Sequence, residues 1–143
     1  VLDQSEKSDY RLEEQIGYLL RLANQRHSII FQHHCLMELT PTQFAAVVRL
    51  YEEESCSQNS LGRKISVDVA TIKGVVDRLN KKGLIKQSAD PNDKRRTLIS
   101  LKPKTREMMG ELHAVGEVIS DETLRPLSQT ERERLLQLLA KIS

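Results

Sequence analysis

The chain has 143 residues, with 22 Lys and Arg against 20 Asp and Glu, 38% hydrophobic and 29% charged residues, and a mean hydropathy of −0.46. That length fits one domain with a terminal extension for assembly, and leaves no room for two independent cores. Apolar runs of at most five residues are far short of the ~20 that a bilayer span needs, and the first residues lack the pattern of a secretory signal, so the expectation is a soluble cytoplasmic protein.

Val1 to Asp9 is polar. From Tyr10 to about Gln32, Leu12, Ile16, Leu19, Leu20, Ala23, His27 and Ile30 recur at three- and four-residue steps, the spacing of one apolar helix stripe. Thr40-Pro41-Thr42-Gln43 is a capping box with proline at the first helical position, opening a helix through Phe44, Val47, Val48 and Tyr51. Glu52, Glu53 and Glu54 oppose the helix dipole at its end and stop it. Ser57 is a candidate N-cap for a short helix through Leu61 and Ile65, and Ser66 for the next, Val67 to about Lys82, with Val69, Ile72, Val75, Val76 and Leu79 buried. Gly83 ends that helix. The period then changes to alternation: Leu84–Gln87 and Thr97–Leu101 are expected to form a β-hairpin around a basic tip, Ala89 to Arg96. Met108, Leu112, Val115 and Ile119 mark a further helix, interrupted by Gly110 and Gly116 and ended before Pro126. Ser128-Gln129-Thr130-Glu131 is a second capping box, before a helix with Leu135, Leu138, Leu139 and Ile142 on one stripe.

Five aromatic residues (Tyr10, Tyr18, Tyr51, Phe31, Phe44) and no Trp mean a core of Leu, Ile, Val and Ala. Cys35 and Cys56 are too few for a disulfide scaffold and are read as structural thiols. Charge is segregated: residues 63–106 hold 13 Lys or Arg and four Asp, and the remainder nine basic and 16 acidic residues. An acidic body with one basic block is suited to a polyanion, because clustered cations release counterions from a phosphate backbone.

Two short helices joined by a tight turn, the second charged outside, followed by a basic hairpin, form the layout of a winged helix-turn-helix. A helix fits the major groove, and a cationic hairpin tip reaches the minor groove beside it. Ser57 and Ser66 at helix starts would offer donors to phosphates. The stretches Ser57-Gln58, Leu61, Ile65-Ser66, Val75-Val76-Asp77-Arg78-Leu79, Lys82-Gly83-Leu84-Ile85 and Asp90-Pro91-Asn92-Asp93-Lys94-Arg95-Arg96 to Leu101 resemble the MarR family of bacterial transcription regulators. Departures from its pattern are Lys73-Gly74 in the second helix, Gln87 in the first wing strand and Gly62 in place of an alanine.

The resemblance implies a mainly α winged helix-turn-helix with an α/β wing and long terminal dimerisation helices. Residues 1–143 then form one MarR-like domain, with 10–35 and 103–143 as dimerisation helices and 40–101 as the DNA-binding lobe. The implied partners are double-stranded DNA with an inverted-repeat operator and a second copy of the chain, in the cytoplasm at the nucleoid of a bacterium or archaeon, with repression as the commoner family mode and no membrane. The large apolar stripes on the terminal helices support a homodimer independently. The expected DNA contacts are Ser57, Ser66, Asp68, Thr71, Lys73 and Arg78, with Lys94, Arg95 and Arg96 on the wing, where Asp93 pairs with Arg95. Asp77-Arg78 could instead be a structural ion pair.

Many family members are released by small phenolic or aromatic carboxylates held between the dimer helices and the lobe. Arg21, Asn24 and His27 on the first helix, with Phe44 and Val48 on the second, offer donors and an aromatic wall for such an anion. His33-His34-Cys35 does not place three ligands on one helix face, so no metal is expected, nor a cofactor. No nucleophile with its base, paired carboxylates or glycine-rich phosphate loop is present, so no enzyme activity is expected. Two alternatives remain: a winged-helix module that docks a protein, which would not require the basic wing, and a thiol-based redox regulator of the same fold.

Overall fold

A computed structural model describes residues 8–34 and 36–143. Val1 to Lys7 of the polar opening and Cys35 lie outside the described residues. The expected first helix is divided. A 3-10 turn, Leu12–Glu14, ends at Gln15, whose extended backbone (φ −85°, ψ 131°) breaks the helical path before α1, Ile16–His34. Its buried residue is Phe31, while Leu12, Ile16, Leu19, Leu20, Leu22 and Ile29 are all exposed.

α2, Pro41–Glu53, starts on the expected capping box: the Thr40 hydroxyl accepts from the Gln43 amide, and the Gln43 side chain accepts from the Thr40 amide. The acidic run ends it, with Glu54 in the left-handed region at φ 65°. A three-residue strand follows, β1 (Ser55–Ser57), and then α3, Gln58–Lys64, whose N-cap is Ser57 as expected. The Ser57 hydroxyl accepts from the Ser60 amide at 3.3 Å.

The start of the next helix differs from the sequence reading. Ser66 has φ 59° and cannot be an N-cap, which needs extended backbone. The cap is Asp68, whose carboxylate accepts from the Thr71 amide at 2.7 Å, so α4 runs Val69–Lys81 rather than from Val67. With this start, Val69 opens the helix and is 67% exposed, outside the stripe of Ile72, Val75, Val76 and Leu79 that is buried. Gly83 (φ 73°) ends the helix as expected, its amide donating to Asn80 and the Leu84 amide to Leu79.

The expected hairpin is β2 (Ile85–Ala89) and β3 (Thr97–Leu101), antiparallel with Ile85 opposite Leu101 and Ala89 opposite Thr97. It is the larger part of a three-stranded sheet ordered β1-β3-β2, in which Cys56 pairs with Ile99. The expected helix around Met108 is also two helices. Pro103 opens a short α5, Pro103–Glu107, and α6 runs Met109–Leu124, so Met109 rather than Met108 enters the core. α7, Gln129–Ile142, begins on the second capping box, with reciprocal bonds between Ser128 and Glu131. No residue of α7 is buried.

The core lies where α2, α3, α4, the sheet and the start of α6 meet: Val47, Leu50, Leu61, Ile72, Leu79, Ile85, Ile99, Leu101 and Leu112 are at most 2% exposed. Among the described residues no helix is long and apolar enough to cross a membrane.

Leu61 joins α3 to α4 in this core at 0% exposure, so Leu61→Ala is expected to lower unfolding free energy by about 2–5 kcal/mol in urea titrations. The Asp68 cap gives a second test. Asp68→Ala should lower the thermal midpoint, while Asp68→Asn, which keeps an acceptor, and Ser66→Gly, which suits the left-handed turn, should not. The hydrogen bond donated by the Thr71 backbone N–H holds the Asp68 carboxyl below its ordinary pKa of 3.8. Its contribution to stability is therefore complete above that ordinary value and is lost as pH falls through the depressed folded-state value. Thermal melts should show wild type losing its advantage over Asp68→Ala below about pH 4, where the ordinary carboxyl begins to protonate.

Candidate nucleic-acid interface

The buried stripe of α4 determines its outer face. At 100° per residue, Ala70, Lys73, Gly74, Asp77 and Lys81 stand opposite Ile72, Val75, Val76 and Leu79, flanked by Thr71 and Arg78. Lys73, Thr71 and Arg78 are exposed on this helix, as expected of side chains that face a ligand. Ala70, Gly74 and Lys81 share this outer face, although the sequence reading did not name them as contacts. The carboxylate of Asp77 pairs with Lys73 at 3.4 Å, not with Arg78. Arg78 lies over Gly74: a Cβ at that glycine would stand 3.7 Å from its guanidinium.

Ser57 and Ser66, expected at helix starts, and Asp68, expected within the second helix, have separate placements. Ser57 is half-buried, and its hydroxyl accepts from the α3 backbone. Asp68 is exposed, with one carboxylate oxygen committed to the α4 backbone. Ser66 is exposed in the turn between the helices.

The wing tip is shaped by its own carboxylates. Asp90 accepts from the Asn92 amide at 2.9 Å, and Asp93 accepts from the Arg95 amide at 3.0 Å and from its Nε at 3.4 Å. Backbone bonds between Asp90 and Arg96 and between Arg96 and Asp93 close the loop. The expected Asp93–Arg95 pairing is present, and Arg95 projects with its side chain 93% exposed beside exposed Lys94 and Arg96. An exposed pair of this kind adds little stability. Its effect is geometric, because it aims a guanidinium outward from a short loop.

Phe44 and Val48 of α2 are brought together as expected. They wall a cleft of about 460 Å³ toward Arg49, Lys64 and Ser66, and another of about 660 Å³ toward His113, Gly116 and Ser120 of α6. The second is shaped by Gly116, since a Cβ there would meet the Phe44 ring at 3.2 Å. His27 connects to this wall through Phe31, with centroids 6.3 Å apart, and Phe31 meets Phe44 edge-on at 5.7 Å. Arg21 and Asn24 are exposed on α1 and line neither cleft, Arg21 lying 5.3 Å above the Tyr18 ring.

The sequence reading missed how α1 is tied to α6. Arg26 donates to the Glu122 and Thr123 carbonyls at the end of α6, His27 shares a hydrogen bond with the Thr123 hydroxyl at 2.9 Å, and His34 meets the Glu122 carboxylate at 2.6 Å. His34 thus bonds the Glu122 carboxylate while its ring also meets the His33 ring edge-on at 5.2 Å. Cys56 is buried in β1, and burial pushes its thiol pKa up, which disfavours the thiolate that an oxidant would attack.

The MarR family model matches residues 39–97, the segment from just before α2 to the first residue of β3. The transcriptional repressor NicR of Pseudomonas putida is 35% identical over 138 residues, covering 96% of this chain and 87% of NicR. A crystal structure of a probable transcriptional regulator from Pseudomonas aeruginosa has a TM-score of 0.90 at 51% identity, covering 93% of this chain and 100% of that one. Bordetella bronchiseptica BpsR, whose structure addresses regulation of its DNA binding by 6-hydroxynicotinic acid, has a TM-score of 0.87 at 35% identity over 94% of this chain and 97% of its own. With this order of helices, this wing and these relatives, the chain belongs to the MarR family of transcription regulators.

Proposed function

We propose that the protein is a ligand-controlled repressor that binds an inverted-repeat operator as a homodimer. The observation that carries the reading is the wing: Arg95 is held outward by Asp93 at the tip of a hairpin that follows directly on a recognition helix, α4, with Lys73, Thr71 and Arg78 exposed. In this reading α4 enters the major groove and Arg95 the adjacent minor groove, while Lys94 and Arg96 meet phosphates. Ser57 and Ser66 lie at the backbone side of the module. Asp68 acts through the helix start rather than by reading a base. A protein-docking module would not need the basic residues of 63–106.

Dimerisation is supported by the terminal helices. Leu12, Ile16, Leu19, Leu20 and Ile29 of the N-terminal region and Leu136, Leu138 and Ile142 of α7 are 42–69% exposed, more apolar surface than a monomer of this size leaves uncovered. A two-fold dimer would cover it and present two α4 helices to two half-sites. The chain then divides into dimerisation segments 10–35 and 103–143 around the 40–101 DNA-binding lobe.

The effector is a small aromatic carboxylate, a class that includes the 6-hydroxynicotinic acid named for BpsR. The Phe44–Val48 wall supplies the aromatic surface, with Arg49, Lys64 and His113 at the cleft edges as polar partners. His27 reaches that wall through Phe31. Arg21 and Asn24 are left on the α1 surface, where a second chain would have to bring them to a ligand.

Selection of genomic fragments on the purified protein, followed by fluorescence anisotropy, tests the reading. One short inverted repeat should be enriched, and 6-hydroxynicotinic acid or a related aromatic carboxylate should weaken its binding. Enrichment no better than random duplex would leave a protein-docking module. Arg95→Ala should weaken operator binding by about 10- to 100-fold, the scale of a lost groove contact, and affinity should fall steeply with salt. Sedimentation of Leu135→Glu/Leu138→Glu should give a monomer with weak operator binding; a variant that remains dimeric at micromolar concentration would remove α7 from the interface.

A further inference from the structure

The end of the recognition helix is tied to a distant part of the chain. Lys82, the C-cap of α4, directs its ammonium at two successive carbonyls, Met37 and Glu38, each at 2.9 Å. Those residues lie in the linker between α1 and α2, 44 and 45 positions away in sequence. Both are in the left-handed region, Met37 at φ 63° and Glu38 at φ 54°. Consecutive residues with positive φ are rare outside glycine, and here they turn two neighbouring carbonyls toward one cation. An ammonium has three donors and no acceptor, so it can serve two adjacent carbonyls at once, here those of a 3-10 turn, Leu36–Glu38.

On its other side the same turn is held by α5. The Leu84 carbonyl accepts from the Thr105 hydroxyl at 2.7 Å and from the Lys102 amide at 3.0 Å, and Thr105 is 2% exposed. The C-terminal end of α4 is thus clamped between the segment leading out of α1 and the segment leading into α6. Its N-terminal end is fixed separately, by the Asp68 cap and by the backbone bond from Val67 to Gly62.

We infer that Lys82 is a positioning residue for operator recognition: its ammonium, bridging the Met37 and Glu38 carbonyls, sets the tilt of α4 relative to α1 and transmits displacement of the α1–α2 linker to the DNA-reading face. The inference rests on the DNA-binding reading proposed above. Lys82 also belongs to the basic segment, so the competing role is a plain phosphate contact. The two roles leave different signatures. A phosphate contact contributes equally to every sequence and to the salt slope, whereas a positioning residue contributes chiefly where base edges must be met in register.

The test compares wild type, Lys82→Met and Lys82→Arg on the duplex enriched from genomic fragments and on a scrambled duplex of equal length, each titrated at several salt concentrations. For Lys82→Met, affinity for the enriched duplex should fall about tenfold, with less than a twofold change on the scrambled duplex and an unchanged salt slope. Lys82→Arg, with donors for both carbonyls, should restore discrimination. Equal losses on both duplexes with a slope lower by about one would assign Lys82 to a phosphate and overturn the inference. Undiminished discrimination in Lys82→Met would overturn it as well. Amide hydrogen exchange in the free protein gives a reading that needs no DNA: exchange at residues 80–84 and at Met37 and Glu38 should accelerate in Lys82→Met and return in Lys82→Arg, and unchanged exchange counts against the clamp. If wild type itself fails to discriminate between duplexes while the exchange pattern holds, the DNA reading has failed and the clamp has not.

Discussion

The close crossing of α3 and α4 is the constraint on which the DNA-binding lobe depends. A Cβ at Gly62 would lie 3.1 Å from the Ile72 side chain, closer than ordinary contact, so the two helices meet at a distance that a larger residue would strain. The turn between them is bonded tightly to α3: Ile65 donates to Leu61, Ser66 to Arg63 and Val67 to Gly62. Ser66 takes the left-handed conformation that this reversal requires. Leu61 and Ile72, both at 0% exposure, then fill the space on either side, and the attitude of α4 follows from packing rather than from its own propensity. An alanine at position 62 would gain helix propensity of about 1 kcal/mol but would have to displace a fully buried isoleucine.

The general architecture was legible in the sequence because each of its markers is local. The two capping boxes, the Ser57 cap, Gly83 and the Asp-Pro-Asn-Asp turn of the wing act within four residues, and each lies where its chemistry indicated. What was missed depended on distant partners. Ser66 and Asp68 are both good N-caps by residue type, and only the tertiary reversal after α3 selects between them. β1 is three residues long, too short for its Ser-Cys-Ser alternation to stand out in the sequence, and it pairs along the β3 edge that β2 leaves open. The separate α5 goes with the distant Leu84 carbonyl that Lys102 and Thr105 meet, whereas the bonds at the Gln15 break are local, to Arg11, Leu12 and Leu19. At the interface, Arg95 and Asp93 were readable from a turn motif, whereas the α1–α6 bonds and the Lys82 contact join residues 44 or more apart and leave no periodic trace.

These long-range contacts concern how α1 is attached to the rest of the chain. Its own face is largely exposed, so within one chain it is held at a few points: Phe31 against Phe44, and Arg26, His27 and His34 on the last residues of α6. Arg26 also satisfies carbonyls at the α6 C-terminus, a favourable place for a cation. Three of these polar groups fall on Glu122 and Thr123. A shift of α6 therefore acts on α1 through this short segment, beside the separate Phe31–Phe44 contact. Coupling across a protein needs elements that move as units, and α1 with the end of α6 has the bonds of such a unit.

The placement of Asp68 has a consequence for how charge is used at the recognition helix. A free helix N-terminus attracts phosphate through its unpaired amides and positive dipole end. At α4 that position is already occupied by a carboxylate, which accepts from Thr71 and carries a negative charge above its depressed pKa. The start of α4 is consequently a poor phosphate site, so in the proposed DNA complex the attraction falls to cationic side chains: Lys73, Arg78 and the wing. Lys73 is itself partly compensated by Asp77 at 3.4 Å. Among the described residues Arg78, Lys81, Lys94 and Arg96 make no ion pair, while Arg95 shares the local Asp93 contact that orients it. Net attraction to a polyanion arises from the excess of Lys and Arg across residues 63–106, and sequence discrimination from the few side chains whose direction the backbone controls.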